Sequence, residues 1–210
     1  FIDTAGMRRK SRVKESVEYY SVLRSLKAIE RSDVVLMVID ATQGVAEQDK
    51  KIFGYAHEAG KASIIVVNKW DLIEKDHRTM EIFREKIRNE LLFLQYAPII
   101  FVSAKTKKRL IKVLELIDYV MDQYTMRIKT SLLNEVIEDA MVVAEPPTVK
   151  GKKLKIYYAT QKGIKPPSFI LFVNDPQLMH FSYKRYLENQ LRETFGLEGT
   201  PIRLITKKRK

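Results

Sequence analysis

Two hydrophobic patterns alternate along the chain up to about residue 125. One is a continuous apolar run rich in Val and Ile, which is typical of strands buried on both faces of a parallel sheet. These runs cover 33–40, 62–68 and 98–104. The other places apolar residues every three or four positions, which predicts helices. These segments cover 47–59, 79–94 and 109–124. Alternating strands and helices predict an α/β domain with a parallel sheet and flanking helices.

After residue 125 the alternation changes, which predicts a second, smaller α+β domain over residues 126–210. Its predicted order is αββαβ. The helices are expected at 129–142 and from Pro176 to about Phe195, and the strands at 154–160, 169–174 and 201–206. Consecutive prolines and a glycine predict a loop at 145–153. The first domain would then cover residues 1–125.

Polar residues gather where the predicted strands of the first domain end. They form four short stretches: "DTAG" (3–6), "DATQG" (40–44), "NKWD" (68–71) and "SAK" (103–105). In parallel α/β sheets, ligands bind beyond the carboxyl ends of the strands. A plain turn is the alternative for each stretch, because Asn and Asp are common turn residues. For Asp40 we favour that structural role, in which it closes its strand and orients the turn.

The stretch "NKWD" has the chemistry needed to read guanine. A carboxylate such as Asp71 can accept hydrogen bonds from both guanine N1–H and its exocyclic amine, which adenine does not offer together. The stem of Lys69 can lie over the flat base while its ammonium stays in water, and Asn68 can tie neighbouring loops together. A backbone N–H at Ser103 or Ala104 can donate to guanine O6. Trp70 is expected to pack rather than to stack on the base.

"DTAG", "NKWD" and "SAK" together resemble the third, fourth and fifth motifs of the P-loop GTPases of translation. The resemblance implies GTP or GDP as ligand. It implies guanine contacts from Asn68, Lys69, Asp71, Ser103, Ala104 and Lys105. It implies phosphate and switch contacts from Asp3, Thr4, Ala5 and Gly6. Mg²⁺ is the implied metal, held by Asp3 through a water.

The second half of the chain resembles one particular family of these GTPases. The segments "KPPSFILFVN" (165–174), "FSYKRYLENQLRETF" (181–195) and "GTPIRL" (199–204) are similar to the C-terminal domain of the Der (EngA) family. That family has two GTPase domains followed by a KH-like domain and assists assembly of the large ribosomal subunit. The resemblance implies that this chain carries part of the second GTPase domain and the KH-like domain. It also implies ribosomal RNA, the large subunit and an upstream first GTPase domain as partners.

Two features depart from the GTPase pattern. The phosphate-binding loop G-x-x-x-x-G-K-[ST] does not occur in the 210 residues, nor does the switch I segment. Because the chain opens at Phe1 on what reads as the tail of a strand, we expect that its natural beginning is missing. These 210 residues alone are therefore expected neither to hydrolyse GTP nor to bind it tightly.

The second departure concerns catalysis. Met7 stands where Ras-like proteins carry the glutamine that orients the attacking water, and a thioether cannot orient water by strong hydrogen bonds. The catalytic group is therefore unknown from the sequence. Positioning, Mg²⁺ and charge neutralisation are expected to drive hydrolysis in the intact protein, and the Der resemblance suggests potassium as a further aid.

The positive charge of the chain indicates a nucleic acid as a partner. The net charge is +12, and residues 126–210 hold 16 Lys and Arg against 8 Asp and Glu. Clustered positive charge attracts phosphate backbones. The candidates for phosphate contact are Lys152, Lys153, Lys155, Lys162, Lys165, Lys184, Arg185 and the tail 207–210. KH domains usually bind the nucleic-acid backbone through a GXXG loop. The chain has no such loop, because "GIKP" (163–166) breaks the pattern at its fourth residue. A second basic run, 8–14, is either a solvated switch surface or a contact for acidic partners.

Several classes of site are excluded or disfavoured. The chain has no cysteine, so disulfides and thiolate metal sites are ruled out. His57, His77 and His180 lack metal-ligand spacing. No apolar stretch of about 18 residues predicts a membrane span, so we expect no membrane partner. The lack of cysteine is compatible with a reducing, cytoplasmic setting, which is where we expect the protein.

Three functional hypotheses remain open. The first is a regulatory GTPase for ribosome assembly, and the second is a nucleotide-independent adaptor that binds ribosomal RNA on a degenerate GTPase scaffold. The third is an Era-like GTPase–KH protein, against which the missing GXXG and the stretch "YKRYLENQ" (183–190) count. The sequence upstream of Phe1 would decide between the first two.

Overall fold

The computed structural model describes residues 1–2, 25–149 and 151–209. The chain divides into two compact units, 1–121 and 122–210. Residues 25–31 of the first unit are helical. The predictions for "DTAG", for Met7 and for the basic run 8–14 lie outside the described residues.

The first unit contains a parallel three-stranded sheet in the order β1-β2-β3. The strands are β1 (Val34–Asp40), β2 (Ala62–Asn68) and β3 (Ile99–Phe101). The helices are α1 (Glu47–Glu58), α2 (Thr79–Glu90) and α3 (Leu110–Thr125), the last of which continues into the second unit. The predicted α/β domain with a parallel sheet and flanking helices is therefore confirmed.

β2 is the central strand of the described sheet, and all its residues before Asn68 are buried, as its continuous apolar run predicts. β1 differs from its prediction, because Val38 is 57% exposed while Met37 and Ile39 on the opposite face are buried. β1 lies at the edge of the described sheet, and Val38 is far less covered than its register partner Val66 on β2, which is 6% exposed. The expectation that 33–40 is buried on both faces is therefore wrong for the described part of the chain.

α2 ends at Glu90, four residues earlier than its apolar spacing predicts. Leu91 leaves the helical conformation, and Leu92–Leu94 form a short 3₁₀ turn. The guanidinium of Arg88 donates to the carbonyls of Leu94 and Ala97, both at 2.7 Å. One Arg side chain thus satisfies two carbonyls of the segment that follows α2.

The second unit has the predicted αββαβ order around a three-stranded sheet, β6-β7-β8. β6 and β7 are antiparallel, whereas β7 and β8 are parallel. Its elements are α4 (Thr130–Val143), β6 (Ile156–Gly163), β7 (Ser168–Val173), α5 (Phe181–Phe195) and β8 (Arg203–Lys208). A small antiparallel hairpin, β4 (Thr148–Val149) with β5 (Lys152–Lys153), stands in the predicted loop.

The helix expected to begin at Pro176 is divided in two. Asp175 does cap a turn there, since its Oδ1 accepts from the Gln177 N–H at 3.0 Å, but this is a 3₁₀ turn of three residues. Met179 is extended, and α5 begins at Phe181 with His180 as its N-cap.

One face of the second unit's sheet is covered by α4 and α5. Leu133 and Ile137 of α4 and Leu187 and Leu191 of α5 form a single buried cluster with the sheet residues Ala159, Phe169, Leu171, Val173 and Leu204. The Asn134 side chain fixes α4 to β6, because it accepts from the Ala159 N–H at 2.7 Å and donates to the Ala159 carbonyl at 3.0 Å.

Candidate functional site

Three strand ends of the first unit come together at one edge of its sheet. Asp40 ends β1 directly beside Asn68 at the end of β2, and the Ala41 N–H donates to the Asn68 carbonyl at 2.9 Å. On the other side of β2, the Trp70 N–H donates to the carbonyl of Val102, just beyond β3, at 3.0 Å. The parallel register therefore gathers the predicted polar stretches, apart from "DTAG", into one place.

Asn68 links two of these loops, as its sequence position predicts. Its side-chain oxygen accepts from the Ala104 N–H at 3.0 Å. The loop after β3 is in turn held by its own serine, since the Thr106 N–H donates to Ser103 Oγ at 3.1 Å. The segment that carries Asp71 and the segment that carries Ser103 to Lys105 are thus fixed relative to each other.

Asp71 lies in a 3₁₀ turn, Trp70–Leu72, directly after Asn68 and Lys69. A hydrogen bond from the Ser103 side chain is the main cause that lowers its pKa, so the carboxylate is ionised at neutral pH. Its Oδ1 is buried, yet it accepts no hydrogen bond from any residue that the structure describes. A buried acceptor without a partner is costly, and native proteins rarely keep one without a reason.

Lys69 has a left-handed backbone, with φ of 60°, and its ammonium lies 2.8 Å from Asp40 Oδ2. The side chain is still 53% exposed, so its stem remains accessible, but the ammonium is paired rather than only hydrated as expected. The bond to Lys69, followed by the one from the Thr42 hydroxyl, lowers the pKa of Asp40 to about 2.

Asp40 has the structural role predicted for it. Its Oδ1 accepts from the Thr42 N–H at 2.9 Å and from the Thr42 hydroxyl at 2.7 Å, which orients the turn after β1. The Asp40–Lys69 ion pair was not predicted, because it depends on the register that places the end of β1 beside the end of β2.

Trp70 packs into the core, as expected. It is 5% exposed and meets the ring of Phe83 edge-on at 5.0 Å and the ring of Phe101 at 4.4 Å. Asp71, the next residue, is half-buried.

The backbone N–H groups predicted to meet guanine O6 already have intramolecular partners. The Ser103 N–H donates to the Lys108 carbonyl at 3.2 Å, and the Ala104 N–H donates to Asn68. A base that approaches this loop has to share or displace one of these bonds.

Two clefts flank the strand ends. One, of about 300 Å³, is lined by Val38, Ile39, Asp40, Gln43, Asn68 and Lys69. The other, of about 330 Å³, is lined by Asp71 and Ser103 together with Trp70, Lys75, Phe101, Val102, Thr106, Lys108 and Arg109. The two loops that form the candidate site therefore border concave spaces of the size in which small ligands bind.

The metal prediction rests on residues that the structure does not describe. Asp3, the expected Mg²⁺ residue, is among them, as are Thr4, Ala5 and Gly6. Among the described residues there is no group of three or more His, Asp or Glu that could hold a metal ion. No described helix is both long and apolar enough to cross a membrane.

The basic candidates of the second unit are spread over its surface. Lys152 and Lys153 lie on the small hairpin, where Lys153 pairs with Glu145 at 2.8 Å. Lys155, Lys162, Lys165, Arg185, Lys207, Lys208 and Arg209 are exposed, Lys184 is half-buried, and Lys210 lies outside the described residues. "GIKP" begins at Gly163, the last residue of β6, and leads towards β7.

Two family models match the chain. Residues 20–124 match the elongation factor Tu GTP-binding domain, and residues 127–207 match the KH-domain-like C-terminal region of EngA bacterial GTPase enzymes. GTPase Der of Halothermothrix orenii is 63% identical over 208 residues, and GTPase Der of Geobacillus thermodenitrificans is 61% identical over 209. These alignments cover 99% and 100% of this chain, and the chain spans about half, 48%, of either relative.

Solved structures of Era are more distant. The crystal structure of Aquifex aeolicus Era bound to GDP and aluminium fluoride is 17% identical, with a TM-score of 0.45, over 95% of this chain and 74% of that one. A similarity this low supports no conclusion, whereas the sequence matches cover both units of the chain. The chain therefore belongs to the Der (EngA) family of GTPases.

Proposed function

We propose that the first unit binds the guanine base of GTP and GDP, and that the intact protein hydrolyses GTP during ribosome assembly. The observation that carries the proposal is Asp71, whose buried Oδ1 has no described hydrogen-bond donor while Ser103 bonds the same carboxylate. The N1–H and exocyclic amine of guanine are a matched pair of donors for such a group. Asn68, Lys69, Ala104 and Lys105 lie on the same two loops, which the hydrogen bond between Asn68 and Ala104 links.

Selectivity for guanine follows from the same carboxylate. Adenine presents no adjacent pair of donors at this edge, so its binding would leave an ionised, partly buried oxygen unpaired. Sites built around such a hydrogen bond discriminate strongly against ligands that lack it. The Asp40–Lys69 ion pair helps by holding the Lys69 stem at the strand ends, where it can cover one face of the base.

We assign the contacts with the phosphates and Mg²⁺ to residues that the structure does not describe. Asp3 would hold Mg²⁺ through a water, and Gly6 would sense the γ-phosphate. Mg²⁺ suits this place because it keeps several waters and binds phosphate oxygens with few protein ligands. Potassium is a further candidate for charge neutralisation, since Met7 supplies no strong hydrogen bond to water.

A competition experiment tests the nucleotide proposal on this chain extended by the rest of its own GTPase domain, without the upstream first GTPase domain. Fluorescent GDP is bound first, and unlabelled GTP, GDP and ATP are then added at equal concentrations. GTP and GDP should displace the label, and ATP should not, because only guanine satisfies Asp71. Failure of this extended chain to bind labelled GDP would instead favour the nucleotide-independent adaptor.

The second unit is proposed to contact ribosomal RNA of the large subunit. Its support is the charge of residues 126–210 and the exposure of most of their basic side chains. Because the usual GXXG grip is missing, we assign this contact to dispersed lysines and arginines rather than to a KH loop. A cytoplasmic location accompanies this proposal, since ribosomes are assembled there.

Salt dependence checks the RNA proposal. If about four phosphates are neutralised, affinity for a large-subunit RNA transcript should fall about fiftyfold between about 50 and about 200 mM salt. Lys207→Ala should reduce the slope of log affinity against log salt concentration by the contribution of about one phosphate. Lys112→Ala in the first unit should leave this slope unchanged. Affinity that stays flat over this range would exclude phosphate contacts as the source of binding.

A further inference from the structure

Two exposed tyrosines lie side by side at one end of the second unit's sheet. Tyr157 and Tyr158 of β6 are 43% and 40% exposed. The register of β6 against β7 shifts between Ile156 and Tyr158, so an extra residue is accommodated there. Bulges of this kind redirect side chains and often lie at functional surfaces.

Tyr158 forms part of an aromatic stack on the face of the sheet that the helices leave uncovered. Its ring stacks on Phe172 of β7, with centroids 4.3 Å apart and planes within 16°. Ala159 and Leu171, the next pair along the two strands, belong to the core under α4 and α5. Because successive side chains of a strand alternate in direction, the Tyr158–Phe172 stack lies on the opposite face.

Cations border this stack. Lys207 of β8 is the register partner of Phe172 and is exposed, and the guanidinium of Arg209 lies 4.8 Å from the centre of the Tyr157 ring. The three strands and the segments next to them, 154–174 and 199–210, contain no acidic residue. Exposed aromatic rings on strands whose charged residues are all basic are complementary to bases joined by phosphates.

We propose that this end of the sheet is a stacking platform for single-stranded RNA, with one base added to the Tyr158–Phe172 stack and its phosphates beside Lys207 and Arg209. The inference rests on the proposal that the second unit binds RNA, and it specifies the surface that binds and the kind of contact that a base makes there. Duplex RNA does not fit, because its bases are stacked on one another and present no free face. The platform is separate from the position of a KH loop, since it lies on strands rather than between helices.

Binding of labelled oligonucleotides by the 210-residue chain tests the platform. One probe is a uridine oligonucleotide of roughly twelve residues, and the other is an abasic strand with the same number of phosphates. Tyr158→Ala should weaken binding of the uridine probe about tenfold, as expected for a lost base stack, and leave the abasic probe unchanged. Tyr158→Phe, which keeps the ring, should bind both probes like the parent chain.

The control is Phe181→Ala, which removes another exposed aromatic ring of the same unit, on α5 rather than on the sheet. It should leave both affinities unchanged. An unchanged uridine affinity in Tyr158→Ala, or equal losses for Tyr158→Ala and Phe181→Ala, would overturn the platform while RNA binding stands. A parent chain that binds neither probe at low salt would overturn RNA binding and the platform together.

Discussion

Replacing Asp71 by Asn, in this chain extended by the rest of its own GTPase domain but without the upstream first GTPase domain, is expected to change its preference from GTP to xanthosine triphosphate. An Asn amide keeps one acceptor and gains a donor, which matches xanthine, whose ring has a carbonyl in place of the exocyclic amine of guanine. GTP affinity should fall about a hundredfold or more, because a paired hydrogen bond becomes a donor–donor clash. Competition of the two nucleotides against fluorescent GDP or its xanthine counterpart measures the change.

Glu74→Gln is the matched control for this substitution. It is also a carboxylate-to-amide change, three residues further along the same loop, but Glu74 is exposed. It should leave the preference for GTP intact. If Asp71→Asn likewise kept the parent preference for GTP, the assignment of Asp71 to the guanine edge would be wrong.

The sequence predicted the first unit's sheet well where burial alone decides the structure. The run 62–68 becomes β2 with unchanged bounds, because a strand between two others must be apolar throughout. The same reasoning failed for Val38, since an apolar run does not reveal whether a strand has neighbours on both sides. The early end of α2 was also hidden, because it depends on Arg88 reaching carbonyls six and nine residues away.

The candidate site was predictable in its residue types but not in its pairings. Strand-end positions suggested that Asn68 ties two loops, and its bond to Ala104 agrees. The Lys69–Asp40 ion pair and the use of the Ser103 N–H by Lys108 depend on strand register and on the shape of the loop after β3. Neither can be read from the spacing of motifs along one chain.

The aromatic stack of the second unit shows a similar limit. Tyr158 and Phe172 occupy ordinary strand positions, and nothing in their spacing indicates that they meet. Their contact requires the antiparallel register of β6 and β7 and the irregularity before Tyr158. Charge, by contrast, was visible from composition, so RNA was predicted as a partner without a location for base contacts.

The 210 residues alone are expected to bind GDP at least about a hundredfold more weakly than the intact protein. The proposed contacts between Asp71 and the guanine edge supply only a few hydrogen bonds. Much of their free energy is offset by the desolvation of the bonded groups and by the lost freedom of the ligand. At the described strand ends, the ammonium of Lys69 is already paired with Asp40. The phosphate-binding loop, whose backbone N–H groups and lysine hold the phosphates in GTPases, does not occur in the 210 residues.

Titration calorimetry with GDP and Mg²⁺ on both proteins measures this difference. A dissociation constant weaker than about 100 μM is expected for the 210 residues, which corresponds to about 5.5 kcal/mol of binding free energy. Asp71→Asn in this shorter protein should weaken GDP further, which would show that residual binding uses the base edge. A submicromolar constant for the 210 residues would mean that residues other than a phosphate-binding loop hold the phosphates, and the division of the site proposed above would be wrong.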